Sequence, residues 1–270
     1  MTTTPIKVAI SGAAGRMGIA LIRALSTHPT LELTACGIRA GSETLAMSQF
    51  ENAGVAFASE MMLADPSKLY ENADAVIDFS APEHAAALAQ IAAESGKILV
   101  SGTTGLTAAH KEAIIACGAR ARLVLSSNMS IGVNLMMALV EHAATKLGVD
   151  FDAEIVEMHH RHKVDAPSGT AYALAAAVSR GRNINMNESL VKSRDGHTGA
   201  RPNGKIGISS VRGGDVIGDH AVMFAGQGER IELSHKASNR DIFAKGALVA
   251  VEWAAKKPPG FYSMRDVVRL

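Results

Sequence analysis

Lys7-Val8-Ala9-Ile10-Ser11-Gly12-Ala13-Ala14-Gly15-Arg16-Met17-Gly18 is the stretch on which the fold turns. Lys7 to Ser11 is an apolar run that stops at a glycine turn. From about Gly15 the period changes: Met17, Leu21 and Leu25 share one helical face, and the helix ends before His28-Pro29. Gly12, Gly15 and Gly18 therefore stand between a strand and a helix with the spacing G-x-x-G-x-x-G. In that context Gly12 permits a tight turn, Gly15 lets backbone N–H groups approach a pyrophosphate, and Gly18 lets helix and strand lie close. The helix N-terminus adds unpaired N–H groups and partial positive charge. The plain alternative is a tight turn that binds nothing.

The same alternation continues outward. Leu31 to Ile38, Ala75 to Phe79, Ile98 to Ser101 and Leu123 to Ser127 read as strands. Ser80 is expected as an N-cap with Glu83 reaching back, in a helix closed by Gly96, and Thr107 to Cys117 forms another helix before Gly118. Residues 41–72 are harder to read, with a short strand expected at Val55–Ala58. After Asn128 the style changes. Helix Ile131–Leu147, strand Ala153–Met158, a polar run His159–Asp165 and a helix Ser168–Ser179 lead into a long polar loop over 181–204. Ile206–Arg212, Val216–Phe224 and Arg230–Lys236 alternate with Gly-rich turns, as hairpin-connected strands do. A last helix, Asn239–Lys257, takes Ser238 as N-cap and stops at Pro258-Pro259-Gly260. The expected class is α/β: a Rossmann-type parallel-sheet domain, residues 1–130 with 239–270, plus an α+β domain, residues 131–238, with a mixed sheet.

Composition narrows the function. The 270 residues carry 27 Lys+Arg against 26 Asp+Glu, a net charge of +1, and 47% are hydrophobic. That balance favours neither nucleic acid nor a membrane surface as partner, and the apolar fraction is too high for disorder. No run approaches the ~18 apolar residues that span a bilayer. The start, MTTTPIKVAISG, shows no secretory signal, so a cytoplasmic setting is expected. Cys36 and Cys117 form neither a disulfide framework nor a CxxC site and read as core.

Three further segments carry chemistry. An acidic residue ending the second strand would favour a free ribose 2′-OH, yet Ile38-Arg39 stands there. Arg39 suits a 2′-phosphate by charge and by its donor fork, so NADPH is expected to serve at least as well as NADH. Ser101-Gly102-Thr103-Thr104-Gly105 and Ser126-Ser127-Asn128-Met129 each follow a strand, at the edge where ligands bind in such sheets; either could also be an ordinary turn. Glu157-Met158-His159-His160-Arg161-His162-Lys163-Val164-Asp165-Ala166-Pro167-Ser168-Gly169-Thr170-Ala171 is the most informative. In an extended segment His159, Arg161 and Lys163 would face one way, His160 and His162 the other. Ser168-Gly169-Thr170 then opens a helix with N–H and hydroxyl donors for an anion, so the site suits carboxylates and proton transfer. A solvated basic loop, a zinc site on His159, His160 and His162, and a nucleic-acid contact are the competing readings. No metal is expected, because no Cys accompanies the histidines. His28, His84, His110 and His142 read as structural.

Together, SGAAGRMG, SGTTG at 101–105, SSNMSIGVN at 126–134, EMHHRHKVDAPSGTA at 157–171, SRDGHTG at 193–199 and HKASNRDIFAKGA at 235–247 closely resemble the dihydrodipicolinate reductase family. The resemblance implies reduction of the cyclic imine formed from 4-hydroxy-tetrahydrodipicolinate, a small dicarboxylate, by NADH or NADPH on the diaminopimelate route to lysine. It implies that Gly12, Ala13, Ala14, Gly15, Arg16 and Met17 hold the pyrophosphate and Arg39 the ribose end. Gly102, Thr103 and Thr104, with Ser126, Ser127, Asn128 and Met129, would border the nicotinamide. His159 and Lys163 match the family's proton-handling pair; His160, Gly169 and Thr170 match its substrate-binding positions. It further implies a homotetramer joined through the substrate domain, and a hinge between domains. Many members carry an acidic residue where Ile38 stands, a departure that points away from efficient NADH use.

Overall fold

The computed structural model describes residues 4–55 and 59–268. In chain order come β1 (Ile6–Ser11), α1 (Arg16–Leu25), β2 (Leu31–Gly37), α2 (Glu43–Asn52), β3 (Met62–Leu63), α3 (Pro66–Leu69) and β4 (Ala75–Asp78). Next are α4 (Pro82–Ser95), β5 (Ile98–Ser101), α5 (Ala108–Cys117), β6 (Arg122–Leu125), α6 (Ile131–Leu147) and β7 (Asp152–His159). They are followed by α7 (Gly169–Arg182), α8 (Met186–Ser189), β8 (Leu190–Val191), β9 (Ile206–Arg212), β10 (Gly218–Ala225) and β11 (Arg230–Ala237). The chain closes with α9 (Asp241–Ala254), β12 (Gly260–Tyr262) and α10 (Met264–Val268). The residues fall into two compact units, one running to Ile131 and resuming at Arg240, the other from Gly132 to Asn239.

The first unit holds a parallel sheet in the order β12-β6-β5-β4-β1-β2-β3. Its strands are buried on both faces, which is why they read as continuous apolar runs rather than alternating ones. On one face Val8, Ile10, Ile77 and Val100 meet Leu21 and Leu25 of α1 and Leu248 and Val251 of α9. On the other, Ala9, Val76, Leu99 and Leu123 meet Leu88 and Ala92 of α4 and Ile114 of α5. The strand order reverses at β1, whose neighbours are β2 and β4, so the crevice beyond their carboxyl ends is the place where such sheets bind ligands.

The second unit is a mixed sheet in the order β11-β10-β7-β9-β8. One face is covered by α6 and α7, with Met136, Val140, Leu174 and Val178 against Ile155, Ile208, Val222 and Phe224. The α/β class, with a parallel and a mixed sheet, is as the sequence predicts.

Several local expectations are corrected. Ser80 does not cap α4: its hydroxyl bonds Asp78, and Ala81 takes the N-cap position ahead of Pro82 with no side-chain cap. Nor does Ser238 cap the last helix, which begins at Asp241 after Arg240, with an acid in its first turn. Only β10 and β11 form a hairpin; β9 and β10 are separated by β7, which pairs parallel with β9 and antiparallel with β10. The 181–204 loop contains α8 and β8, and residues 41–72 contain α2, β3 and α3. Of the strand expected at Val55–Ala58, Val55 has no strand assignment and 56–58 lie outside the described residues. β12, unforeseen, extends the sheet past β6. Among the described residues no helix is long and apolar enough to cross a membrane.

Candidate functional site

In the first unit the turn after β1 is built as its glycines require. Gly12 has φ +75°, and a Cβ there would lie 2.5 Å from the Phe79 carbonyl oxygen. At Gly18 a Cβ would lie 2.2 Å from the carbonyl oxygen of Ala13, so α1 approaches the turn as only glycine allows. The N–H of Ala13 donates to Gly37 O and that of Gly15 to Gly12 O, both at 3.0 Å. Gly15 thus shapes the loop with its own amide. The amides of Ala14, Arg16, Met17 and Gly18, at the start of α1, have no backbone partner among the described residues.

Cavities flank this turn on both sides. One, of about 410 Å³, is lined by Ser11, Gly12, Ile38, Arg39, Ser80 and His84 among others. The second, of about 260 Å³, is lined by Arg16, Met17, Phe79, Ser127, Asn128 and Met129 together with Arg240 and Phe243. A long, two-ended, polyanionic ligand crossing from one to the other would meet the free amides midway, with Arg39 at one end and the 127–129 loop at the other. Ser11 Oγ, buried and without a partner among the described residues, stands in the lining of the first cavity. These residues fit a dinucleotide. His84, expected as structural, belongs to the same lining.

The 101–105 loop is held by buried hydrogen bonds. Asp78, fully buried, accepts hydrogen bonds from the hydroxyls of Ser101 (2.8 Å), Thr103 (2.7 Å) and Ser80. Thr103 Oγ1 in turn accepts from the Ser80 N–H at 3.0 Å. Gly102 is glycine because the Phe79 ring lies where its Cβ would be, at 2.2 Å. The loop is therefore braced by an aspartate at the end of β4, and Thr104 alone among 102–104 is exposed. Ser126 Oγ similarly closes its own turn by donating to Asn128 O at 2.8 Å.

In the second unit the chemistry sits at the end of β7. Burial along this strand alternates strictly, so Ala153, Ile155, Glu157 and His159 share the covered face. That face is apolar for two positions and ionisable for the last two. Glu157 is fully buried, and its two oxygens meet several donors. His159 Nδ1 (2.6 Å) and Arg212 Nη1 (2.8 Å) reach Oε2; Arg212 Nη2 (2.9 Å) and the Ser168 N–H (3.2 Å) reach Oε1. Burial pushes the Glu157 pKa up, but the hydrogen bonds from Arg212, Ser210 and His159 outweigh it and bring it down to about 2. An ionised carboxylate only accepts, so Nδ1 of His159 carries the proton. Across the sheet, Glu157 is in register with Ser210 on β9 and His220 on β10. His220 Nε2 lies 2.9 Å from Ser168 Oγ, and its ring stands edge-on to His159 with centroids 5.2 Å apart. Burial, reinforced by the neighbouring His159, depresses the His220 pKa to about 4, so it is neutral at pH 7.

Beyond His159 the strand ends and the predicted alternation with it. The 213–217 connection passes over the end of β7, and its carbonyls take the next amides: His160 N–H to Val216 O (2.7 Å) and Arg161 N–H to Gly214 O (3.2 Å). Residues 160–163 form a turn in which Arg161 and His162 are exposed, while His160 and Lys163 are half-buried. Lys163 Nζ holds both oxygens of Asp165, at 2.7 and 2.8 Å, and that ammonium keeps the Asp165 pKa low. Ser168 caps α7 through its side chain, accepting the Ala171 N–H at 3.1 Å. Its amide and hydroxyl are thus spent on Glu157, Ala171 and His220, and Gly169 and Thr170 follow at the helix start. Glu157 and Arg212 escaped the sequence reading; counting by twos from Ala153 would have put Glu157 beside His159. Among the described residues, no three His, Cys, Asp or Glu side chains stand together as a metal would need.

Comparison with known proteins agrees with this architecture. Residues 6–129 match the family model described as dihydrodipicolinate reductase, N-terminus, and residues 132–268 the one described as dihydrodipicolinate reductase, C-terminus. The 4-hydroxy-tetrahydrodipicolinate reductase of Agrobacterium fabrum is 46% identical over 271 residues, covering 100% of this chain and 98% of the relative. A protein of Mesorhizobium japonicum, 4-hydroxy-tetrahydrodipicolinate reductase 1, is 49% identical over 262 residues, covering 97% and 96%. A dipicolinate-bound dihydrodipicolinate reductase from Paenisporosarcina superposes with a TM-score of 0.76 at 24% identity, covering 96% of this chain and 98% of that one.

Proposed function

Since the chain belongs to the dihydrodipicolinate reductase family, we propose that it reduces 4-hydroxy-tetrahydrodipicolinate, through its dehydrated cyclic imine, to tetrahydrodipicolinate. It is an NAD(P)H-dependent oxidoreductase with a Rossmann-type nucleotide-binding domain. The buried Glu157–His159 pair, followed by Lys163 in the next turn and by the N-terminus of α7, is the observation that carries the reading, because it joins a proton source to a helix start in one segment.

Ala14, Arg16 and Met17 hold the pyrophosphate through their amides, with Gly12, Ala13 and Gly15 shaping the turn. Arg39 lies at the ribose end, so NADPH serves at least as well as NADH. Gly102, Thr103 and Thr104 with Ser126, Ser127, Asn128 and Met129 border the nicotinamide, the first loop through its backbone, since the Thr103 hydroxyl is committed to Asp78. When bound, the reduced nicotinamide supplies the hydride. The substrate's carboxylates are received by His160, Gly169 and Thr170. As charge collects on the ring-nitrogen side of the substrate, a proton comes from the His159/Lys163 pair, from His159 Nε2 or Lys163 Nζ. Asp165 holds that side chain in place, and general acids of this kind contribute ~10²–10⁴-fold. The reading carries with it the diaminopimelate route to lysine, a homotetramer and a cytoplasmic setting.

The test is a coupled assay. Pyruvate and aspartate semialdehyde are condensed by a synthase, and NADPH absorbance is followed on adding this protein. Lys163→Ala is expected to lower kcat by ~10²-fold with NADPH binding near normal, the mark of a lost transition-state contact. Unchanged turnover would take Lys163 out of the mechanism.

A further inference from the structure

We propose that Glu157, clamped by Arg212, is a positioning residue for the reduction: it takes the Nδ1 proton of His159 and so presents Nε2 as the reactive nitrogen. This rests on the reading of His159 as a proton-handling group and adds the device that makes it one.

Three observations carry it. The Glu157 carboxylate is held by His159, by Arg212 twice, by the Ser168 amide and by Ser210, so it cannot turn away from the imidazole. Arg212 is itself fixed, since Nη2 also donates to Asp165 O at 2.7 Å and Nη1 to Val211 O at 2.7 Å. The clamp therefore ties the strand bearing His159 to the turn bearing Lys163 and, through Ser168, to the first residues of α7. Lastly, Nε2 of His159 lies 3.0 Å from where a Cβ on Gly218 would be, so the residue facing the ring across the sheet leaves that nitrogen clear.

A carboxylate on Nδ1 does two things to an imidazole. It removes the choice of tautomer, and it stabilises the imidazolium, making Nε2 a stronger base that holds its proton nearer neutral pH. The charged and titratable groups around His159 are Glu157 on β7, Arg212 on β9, and His220 on β10 with His235 of β11 behind it. Lys163 and Asp165 stand in the turn that follows. Only Glu157 touches the ring nitrogen, and Arg212 moderates it by sharing the negative charge. Removing Glu157 should therefore free the choice of tautomer, which a loss of packing elsewhere in the sheet would not do.

The experiment uses the full chain with ¹⁵N-labelled histidine. In the unsubstituted protein at alkaline pH, His159 is expected to show a protonated Nδ1 and a bare Nε2. Glu157→Gln should mix the tautomers and reduce kcat ~10–100-fold with KM near normal. Arg212→Met, which releases one side of the carboxylate, should mix them less. An Nε2–H tautomer in the unsubstituted protein overturns the proposal without any variant. So does a single Nδ1–H tautomer that persists in Glu157→Gln. His159→Gln separates the two claims: full turnover there would sink the role of His159, while the tautomer measurement would still judge Glu157.

Discussion

Acid should attack the second unit through His220 before any other buried group. His220 is 5% exposed, and its pKa falls from an ordinary 6.5 to about 4. A group whose folded pKa is depressed lends stability above its unfolded value and loses it as pH falls towards the folded one. At about 1.4 kcal/mol per unit, the window from pH 6.5 to 4 removes about 3 kcal/mol. Glu157, depressed from 4.5 to about 2, removes a similar amount between about pH 5 and 2. Two such losses approach the whole stability of an ordinary domain, roughly 5–15 kcal/mol. The comparison is the protein against His220→Gln, which keeps a polar group near Ser168 and has no titration in this range. Urea unfolding followed by far-UV circular dichroism from pH 7 to 4, with hydrogen exchange of the β7 and β10 amides, gives stability at each pH. The gap between the two proteins should narrow by about 3 kcal/mol across that range. Parallel decline of both would show that His220 is not the group acid protonates.

Other outcomes follow from single contacts. Gly18→Ala puts a Cβ 2.2 Å from a backbone oxygen and should cost ~1–3 kcal/mol of stability, read as a lowered Tm, with weaker NADPH binding. Asp78→Ala strands the buried hydroxyls of Ser101 and Thr103 and should cost about 3 kcal/mol by chemical denaturation. Arg39→Ala should weaken NADPH ~10–100-fold by titration and NADH far less; equal losses would undo the 2′-phosphate assignment.

The legible parts of the site were those whose constraint is local. Gly12 and Gly18 announce a left-handed turn and a close approach in a strand–turn–helix context, and Ser168 announces a helix start. The brace on the 101–105 loop was hidden because it depends on β4 and β5 lying side by side, which brings Asp78 to Ser101 and Thr103, 23 and 25 residues away. Ser80 misled for a related reason. Its pattern fits a cap, but the buried carboxylate two residues earlier is the stronger acceptor.

From its letters alone this chain declared an α/β protein with a glycine turn fit for a dinucleotide and a histidine–lysine segment suited to carboxylates, because periodicity, turn geometry and side-chain chemistry act over a few residues. Tertiary structure decided that β7 lies between β9 and β10 and therefore that Arg212, 55 residues from Glu157, closes on it and sets the imidazole of His159. Strand order is chosen by burying apolar faces across the whole unit, a global sum that no short window of sequence contains.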